Sequence, residues 1–353
     1  MSLKRRIVTV AGALATSIAL VMAPTNAFAE PVEGSVDTIE TETSPELSTI
    51  QKLYPDPVHK FVPTKDGMKV SVFEYGPSPA KAETIIMTGG WPWTSSGMDA
   101  FARVLATKYH VVRYDQRGSG ESSHPKEENM YTFQALANEM LAVIRHTTLP
   151  GQKVHVFGEA WCPFIASQLN FMYPGIIATI TSLGAPSLDL AVVRHRQALE
   201  SKDPYTRFQA KKQAAVLEYA FILERSPEKF IKYAVDTNIL AGITDTGVKL
   251  LGGDFPGRTN NYDIVHGMQK YRVAWMQSWN NPQYDYLDVP VVHVLHMEYD
   301  LIETDYLLDN LEASTPHYIR HDIKSDHLTW VTSITSVIEY IEETIETYHE
   351  IYD

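Results

Sequence analysis

The sequence predicts an α/β fold: a mostly parallel central sheet with helices on both faces and a helical lid inserted late in the chain. Two observations predict it. Short apolar runs alternate with amphipathic stretches up to about residue 186, and the same rhythm resumes near residue 287. Between them the chain turns helical in pattern and rich in aromatics (Tyr205, Phe208, Tyr271, Trp275, Trp279), with no convincing buried strand. Such an insertion belongs over the C-terminal ends of the strands, where open α/β sheets bind ligands. The expected division is therefore a core of 51–186 and 287–353, with a lid of 187–286.

Each element follows from its pattern. Alternating residues around Met68 to Tyr75 predict strands, and Thr84-Ile85-Ile86-Met87-Thr88 is a fully apolar one ending at Gly89-Gly90. Phe101, Val104 and Leu105 share a helical face, His110 to Tyr114 reads as a strand, and Leu136, Met140 and Val143 mark a helix over 132–145. Val154-His155-Val156-Phe157 is a strand running into Gly158, followed by a helix to about Met172 and a short strand over 178–182. After the lid come a strand at Val289 to Leu295, a helix over 304–311, a strand at 317–320 and a helix over 328–348.

The N-terminus reads as an export signal. Lys4, Arg5 and Arg6 precede an apolar stretch, Ile7 to Met22, that is short for a membrane span, and Ala27-Phe28-Ala29 forms an A-x-A cleavage site. Residues 1–29 are thus expected to be removed, giving a secreted protein. Residues 30–50 carry six acids and no base, the composition of a solvated, disordered linker. Losing three basic residues and no acid moves the formal charge from −13 to −16. So acidic a chain argues against nucleic acid, and against membrane once the signal is cleaved, and leaves a small-molecule or short-peptide ligand as the expected partner. Nothing in the sequence calls for a metal or a cofactor. Cys162 is the only cysteine, so no intrachain disulfide can form.

Three features carry chemistry. Gly158-Glu159-Ala160-Trp161-Cys162 lies where a strand feeds a helix, with small residues two before and two after Ala160. A strained strand–turn–helix elbow needs that spacing, and it normally presents a nucleophile at its centre. The second feature is Asp300, just after the first strand beyond the lid. The third is His327, in the loop before the last helix. Nucleophile position, acid and histidine thus follow one another in the chain order of a hydrolase triad.

With these residues in place the chain resembles the α/β-hydrolase superfamily from about residue 60 onward. Tyr114-Asp115-Gln116-Arg117-Gly118-Ser119-Gly120-Glu121-Ser122 resembles the D-Q-R-G-x-G-x-S segment of prolyl aminopeptidase-like hydrolases (proline iminopeptidases). Thr88-Gly89-Gly90-Trp91-Pro92 resembles their H-G-G-P-G oxyanion loop, with Thr88 replacing the histidine and Trp91 inserted before the proline. The resemblance implies an oxyanion hole from the backbone N–H groups of Trp161 and of Gly90 or Trp91, and an acyl-transfer reaction on peptide or ester bonds.

The chain departs from that pattern at the decisive atom. Ala160 has no lone pair to attack a carbonyl and no proton for His327 to take. Cys162 is the one thiol that could substitute: the dipole of the following helix would favour its thiolate, whereas a buried packing role is the plainer reading. Its proline neighbour and the altered oxyanion loop point to natural divergence. Three functions stay open: a hydrolase that is inactive or diverged, a ligand-binding protein that retains the pocket, and a nucleophile-free enzyme using the His327–Asp300 dyad as base. A prolyl aminopeptidase would hold its substrate's amino group with lid carboxylates, for which Glu218, Glu224 and Glu228 are available.

Overall fold

The computed structural model describes residues 54–225, 236, 261–300, 302–308, 311–325, 327 and 334–353. The export signal, the acidic linker and Glu228 lie outside them. Eight strands form one sheet: β1 (Val58–Pro63), β2 (Lys69–Tyr75), β3 (Thr84–Thr88), β4 (His110–Tyr114), β5 (Val154–Glu159), β6 (Ile177–Leu183), β7 (Val291–Met297) and β8 (Tyr318–Ile323). Their order is β1-β2-β4-β3-β5-β6-β7-β8. β1 and β2 are antiparallel to their neighbours, and β4 through β8 run parallel.

The helices are α1 (Asp99–Leu105), α2 (Phe133–Thr147), α3 (Trp161–Met172), α4 (Leu188–Glu200), α5 (Pro204–Arg225), α6 (Asn261–Gly267), α7 (Met276–Asn280) and α8 (Ile334–Tyr352). The central strands are apolar on both sides because both sides are covered. On one face Leu136, Met140, Ile165 and Leu169 of α2 and α3 close over Ile86, Val112, Val156 and Val292. On the other, Phe101 and Leu105 of α1 and Val337 and Ile341 of α8 cover Ile85, Val111, Phe157 and Leu295. Between β6 and β7 every described element is a helix, joined by irregular stretches such as 281–290.

The expected helix over 304–311 is instead two 3-10 turns, Asp305–Leu307 and Leu311–Ser314. Leu307 and Leu311 are both buried and mimic helical spacing, but two separate turns bury them equally well. The last helix is described from Ile334, not from 328.

The D-Q-R-G segment is structural in this chain. Arg117 is buried; its Nε donates to Glu139 Oε2 at 2.7 Å and its backbone N–H to Oε1 at 3.0 Å, while Nη1 reaches Asp66 and the Met130 carbonyl. Asp115 accepts from the N–H and hydroxyl of Ser95. Gly120 adopts φ +57°, and a side chain there would overlap the Asp115 carboxylate.

Candidate active site

β5 delivers the elbow. Ala160 follows its last residue at φ 47° and ψ −100°, and is the one non-glycine residue with positive φ among the described residues. Such a conformation costs an alanine roughly 1–3 kcal/mol and persists where the surroundings over-determine it. They do so here: a Cβ on Gly158 would lie 2.5 Å from the Cys162 Cβ, so only glycine lets strand and helix approach this closely. Pro163 falls in the first turn of α3, where a missing N–H costs nothing.

Asp300 and His327 meet beside the elbow. His327 Nδ1 bonds Asp300 Oδ2 at 2.8 Å, and the other oxygen, Oδ1, accepts the N–H groups of Ile302 and Glu303 at 2.7 and 3.1 Å. The acid is thereby fixed in orientation, and it fixes the ring.

Nothing in the sequence singled out the residue that decides the site. Glu159, fully buried, fills the space around Ala160: Oε2 accepts the Gly90 N–H at 3.1 Å, and Oε1 lies 3.1 Å from His327 Nε2. The second contact is a close ion pair whose angle falls short of a hydrogen bond, and Oε1 has no hydrogen-bond partner. A Cβ on Gly90 would overlap this carboxylate, so Gly90 is needed for the contact as well as for its loop. The only advance signal was a carboxylate one residue before an empty nucleophile seat. Burial alone would discourage charge on His327, but Asp300 and Glu159 outweigh it and hold the imidazole pKa well above its ordinary value. A ring held as the cation is a poor general base at neutral pH, which weakens the expected dyad.

Cys162 is buried with its Sγ toward the Phe157 carbonyl at 3.4 Å. Burial pushes its thiol up to about 12, so the expected help from the helix dipole is overridden and the thiol is a packing group. Glu218 and Glu224 pair with Arg225 away from the site; the Arg225 side chain is 60% exposed and that of Glu218 54%. They cannot hold a ligand in the pocket.

Above Ala160 lies a small cavity of about 50 Å³, walled by Trp161, Phe164, Leu188, Val192, Tyr271, Trp275 and Trp279 and reached by His195, Glu303 and His327. Trp275 and Trp279 stack at 4.7 Å. Nor did the sequence single out Glu303. The Ala185 N–H donates to its Oε2, and Gly184, at φ +90°, leaves room that a Cβ would fill. Burial pushes the Glu303 carboxyl up to about 8; His327 opposes this, and Asp300 and Glu159 add to it.

The folded state therefore keeps a proton on Glu303 that the unfolded chain releases near the ordinary carboxylate pKa. This contribution falls as pH rises from about 5 to 8. The melting temperature is expected to drop with pH across that range more steeply in the native protein than in Glu303→Gln; calorimetric scans with parallel slopes would refute it.

The lid touches the oxyanion loop twice. Trp91 Nε1 donates to the Ile264 carbonyl at 2.8 Å, and the Trp91–Pro92 peptide is cis. Buried Lys270 donates from Nζ to Gln116 Oε1, and Gln116 Nε2 donates to the Gly89 carbonyl at 2.8 Å. Burial pushes the Lys270 amine down to about 7 against the pull of Glu139 and Glu159.

A family model described as alpha/beta hydrolase fold matches residues 83–331, and the chain belongs to that family. It is 26% identical over 285 residues to a probable oxidoreductase, EphD, of Mycobacterium tuberculosis, covering 76% of this chain and 46% of that protein. Bifunctional epoxide hydrolase 2 of Mus musculus is 28% identical over 133 residues, 37% of this chain and 23% of the relative. The chain thus spans half or less of the length of these relatives. A proline iminopeptidase of Flavobacterium johnsoniae matches more narrowly, 24% over 106 residues, 30% of this chain and 35% of that one. The crystal structure of an epoxide hydrolase from Vigna radiata superposes with a TM-score of 0.61 at 17% identity, covering 83% of this chain and 99% of the other, which establishes the shared fold.

Proposed function

We propose that this exported α/β-hydrolase-fold protein binds a small, largely apolar molecule beneath its lid and forms no covalent intermediate at residue 160. One observation carries the reading. The groups that would serve a nucleophile, the Gly90 N–H and His327 Nε2, are both turned to the carboxylate of Glu159. An incoming carbonyl would find no attacking atom, one oxyanion donor taken and a histidine held as a cation. The cavity, meanwhile, is intact and aromatic. Glu218 and Glu224 pair with Arg225 and do not line the cavity, so the aminopeptidase reading rests on the resemblance and on the narrow match to a proline iminopeptidase.

The test is labelling by a fluorophosphonate probe, alongside turnover of p-nitrophenyl acetate, proline p-nitroanilide and styrene oxide. The native chain is expected to stay unlabelled and to leave all three substrates at the buffer rate. A mass adduct on the native protein, or turnover lost on His327→Ala, would sink the proposal.

The named relatives and the Glu159 geometry favour a second reading, opening of an epoxide by a carboxylate. With one oxygen on Gly90 and the other toward His327, Glu159 is oriented as an attacking carboxylate would be. Against it, Glu159 is fully buried and absent from the cavity wall. An ester trapped on Glu159 after incubation with styrene oxide would establish this second reading in place of the first.

A further inference from the structure

We propose that the ligand of this cavity is an organic ammonium ion, an amine on a compact apolar body, held by Glu303 and His195 against the tryptophan wall. The inference rests on the binding reading above and names the chemical class that the site accepts.

The polar groups of the cavity are mismatched in one direction. Glu303 in the wall, with Glu159 and Asp300 behind it, surrounds a single cation, His327, and both ring nitrogens of that cation face Asp300 and Glu159. Among the described residues, no lysine or arginine lines the cavity. The Gly90 N–H, which would polarise a ligand oxygen, is already engaged. What the wall offers an incoming molecule is therefore no cation, and in Glu303 a carboxyl that an ammonium ion would bring to its ionised form. Glu303 reaches the cavity with one oxygen on the Ala185 N–H.

His195 supplies the independent observation. It is 2% exposed and lines the same cavity; Nδ1 lies 2.7 Å from the Tyr306 hydroxyl, and Nε2 has no hydrogen-bond partner. A buried ring nitrogen left unpaired costs on the order of 1–3 kcal/mol, which a ligand group would recover. When Nδ1 carries the proton and donates to Tyr306, Nε2 is an acceptor waiting for a donor.

An ammonium group meets both demands at once, giving one N–H to Glu303 and another to His195. The rest of the wall suits it too. Tyr271, Trp275 and Trp279 line the cavity with aromatic rings, and cations are stabilised over such rings once water is excluded. An anionic ligand would add a negative charge beside Asp300 and Glu159 and push Glu303 further toward its protonated form, whereas an ammonium ion favours the Glu303 carboxylate.

The test compares benzylamine, benzyl alcohol and benzoate, one body with three head groups, by titration calorimetry at pH 7 with tryptophan fluorescence as a second readout. Benzylamine is expected to bind at least 10-fold more tightly than benzyl alcohol, with no heat from benzoate. In Glu303→Gln, which keeps the shape, the preference for amine over alcohol should vanish while alcohol binding persists. Equal or tighter binding of the alcohol or the acid, or an amine preference that survives Glu303→Gln, overturns the ammonium assignment and leaves the binding reading standing. If none of the three binds, the binding reading falls and takes the assignment with it.

Discussion

Adding Glu159→Ala to an Ala160→Ser variant is expected to raise p-nitrophenyl acetate turnover about 100-fold over Ala160→Ser alone. The serine by itself restores an attacking oxygen, but it enters a site where Glu159 still holds the Gly90 N–H and keeps His327 charged. One oxyanion donor is worth roughly 10²–10³ in turnover in a serine hydrolase, and removing Glu159 returns that donor. It also removes one of the two carboxylates that keep the ring protonated, so the pH at which activity reaches half its maximum should fall in the double variant. Steady-state kinetics across pH 5–9 checks both parts. If the two variants are equally active, Glu159 is not what closes the site.

The largest loss of stability is expected from Glu139→Ala, about 3–5 kcal/mol in urea-induced unfolding. Glu139 and Arg117 are each about 1% exposed, and the carboxylate takes two bonds from Arg117, one from the backbone and one from the guanidinium. Deleting one partner of a buried pair strands the other charge without solvent, which costs far more than the pair itself contributes. Asp66, the remaining partner of Arg117, has a side chain 35% exposed and cannot compensate. A loss below about 1 kcal/mol would show that water reaches the guanidinium in the variant. Glu139→Gln, which keeps the shape and one acceptor oxygen, should lose much less.

The sheet was legible because parallel strands covered on both faces read as unbroken apolar runs, and β3, β5 and β7 all did. The elbow was legible because close packing of strand on helix demands Gly158 and a small residue at 162, a local constraint written in local residues. Asp300 and His327 could be placed through chain order alone, and the structure brings them within 2.8 Å of each other.

What could not be read were the contacts that cross the fold. Glu159 looked like an ordinary elbow residue; its meaning depends on Gly90, 69 positions away, lacking a side chain. Glu303 depends on Gly184 in the same way, and His195 matters because its Nε2 is left without a partner. The packing role of Cys162 was the plainer expectation, but how far burial overrides the helix dipole is a property of the packed core. The 304–311 segment showed that apolar residues four apart satisfy two short turns as readily as one helix.

The turn at Ala160 is held by its neighbours rather than by its own side chain. A hydroxyl added to the Ala160 methyl would therefore need no change in the backbone that presents it. Alanine and serine codons differ by a single base. The chain as it stands and a chain with a hydroxyl on the elbow are thus neighbours in mutational space, one point mutation apart on a scaffold that already carries the strain of the turn. Glu159 makes that step of little consequence on its own, because a second change is needed before the hydroxyl has anything to work with.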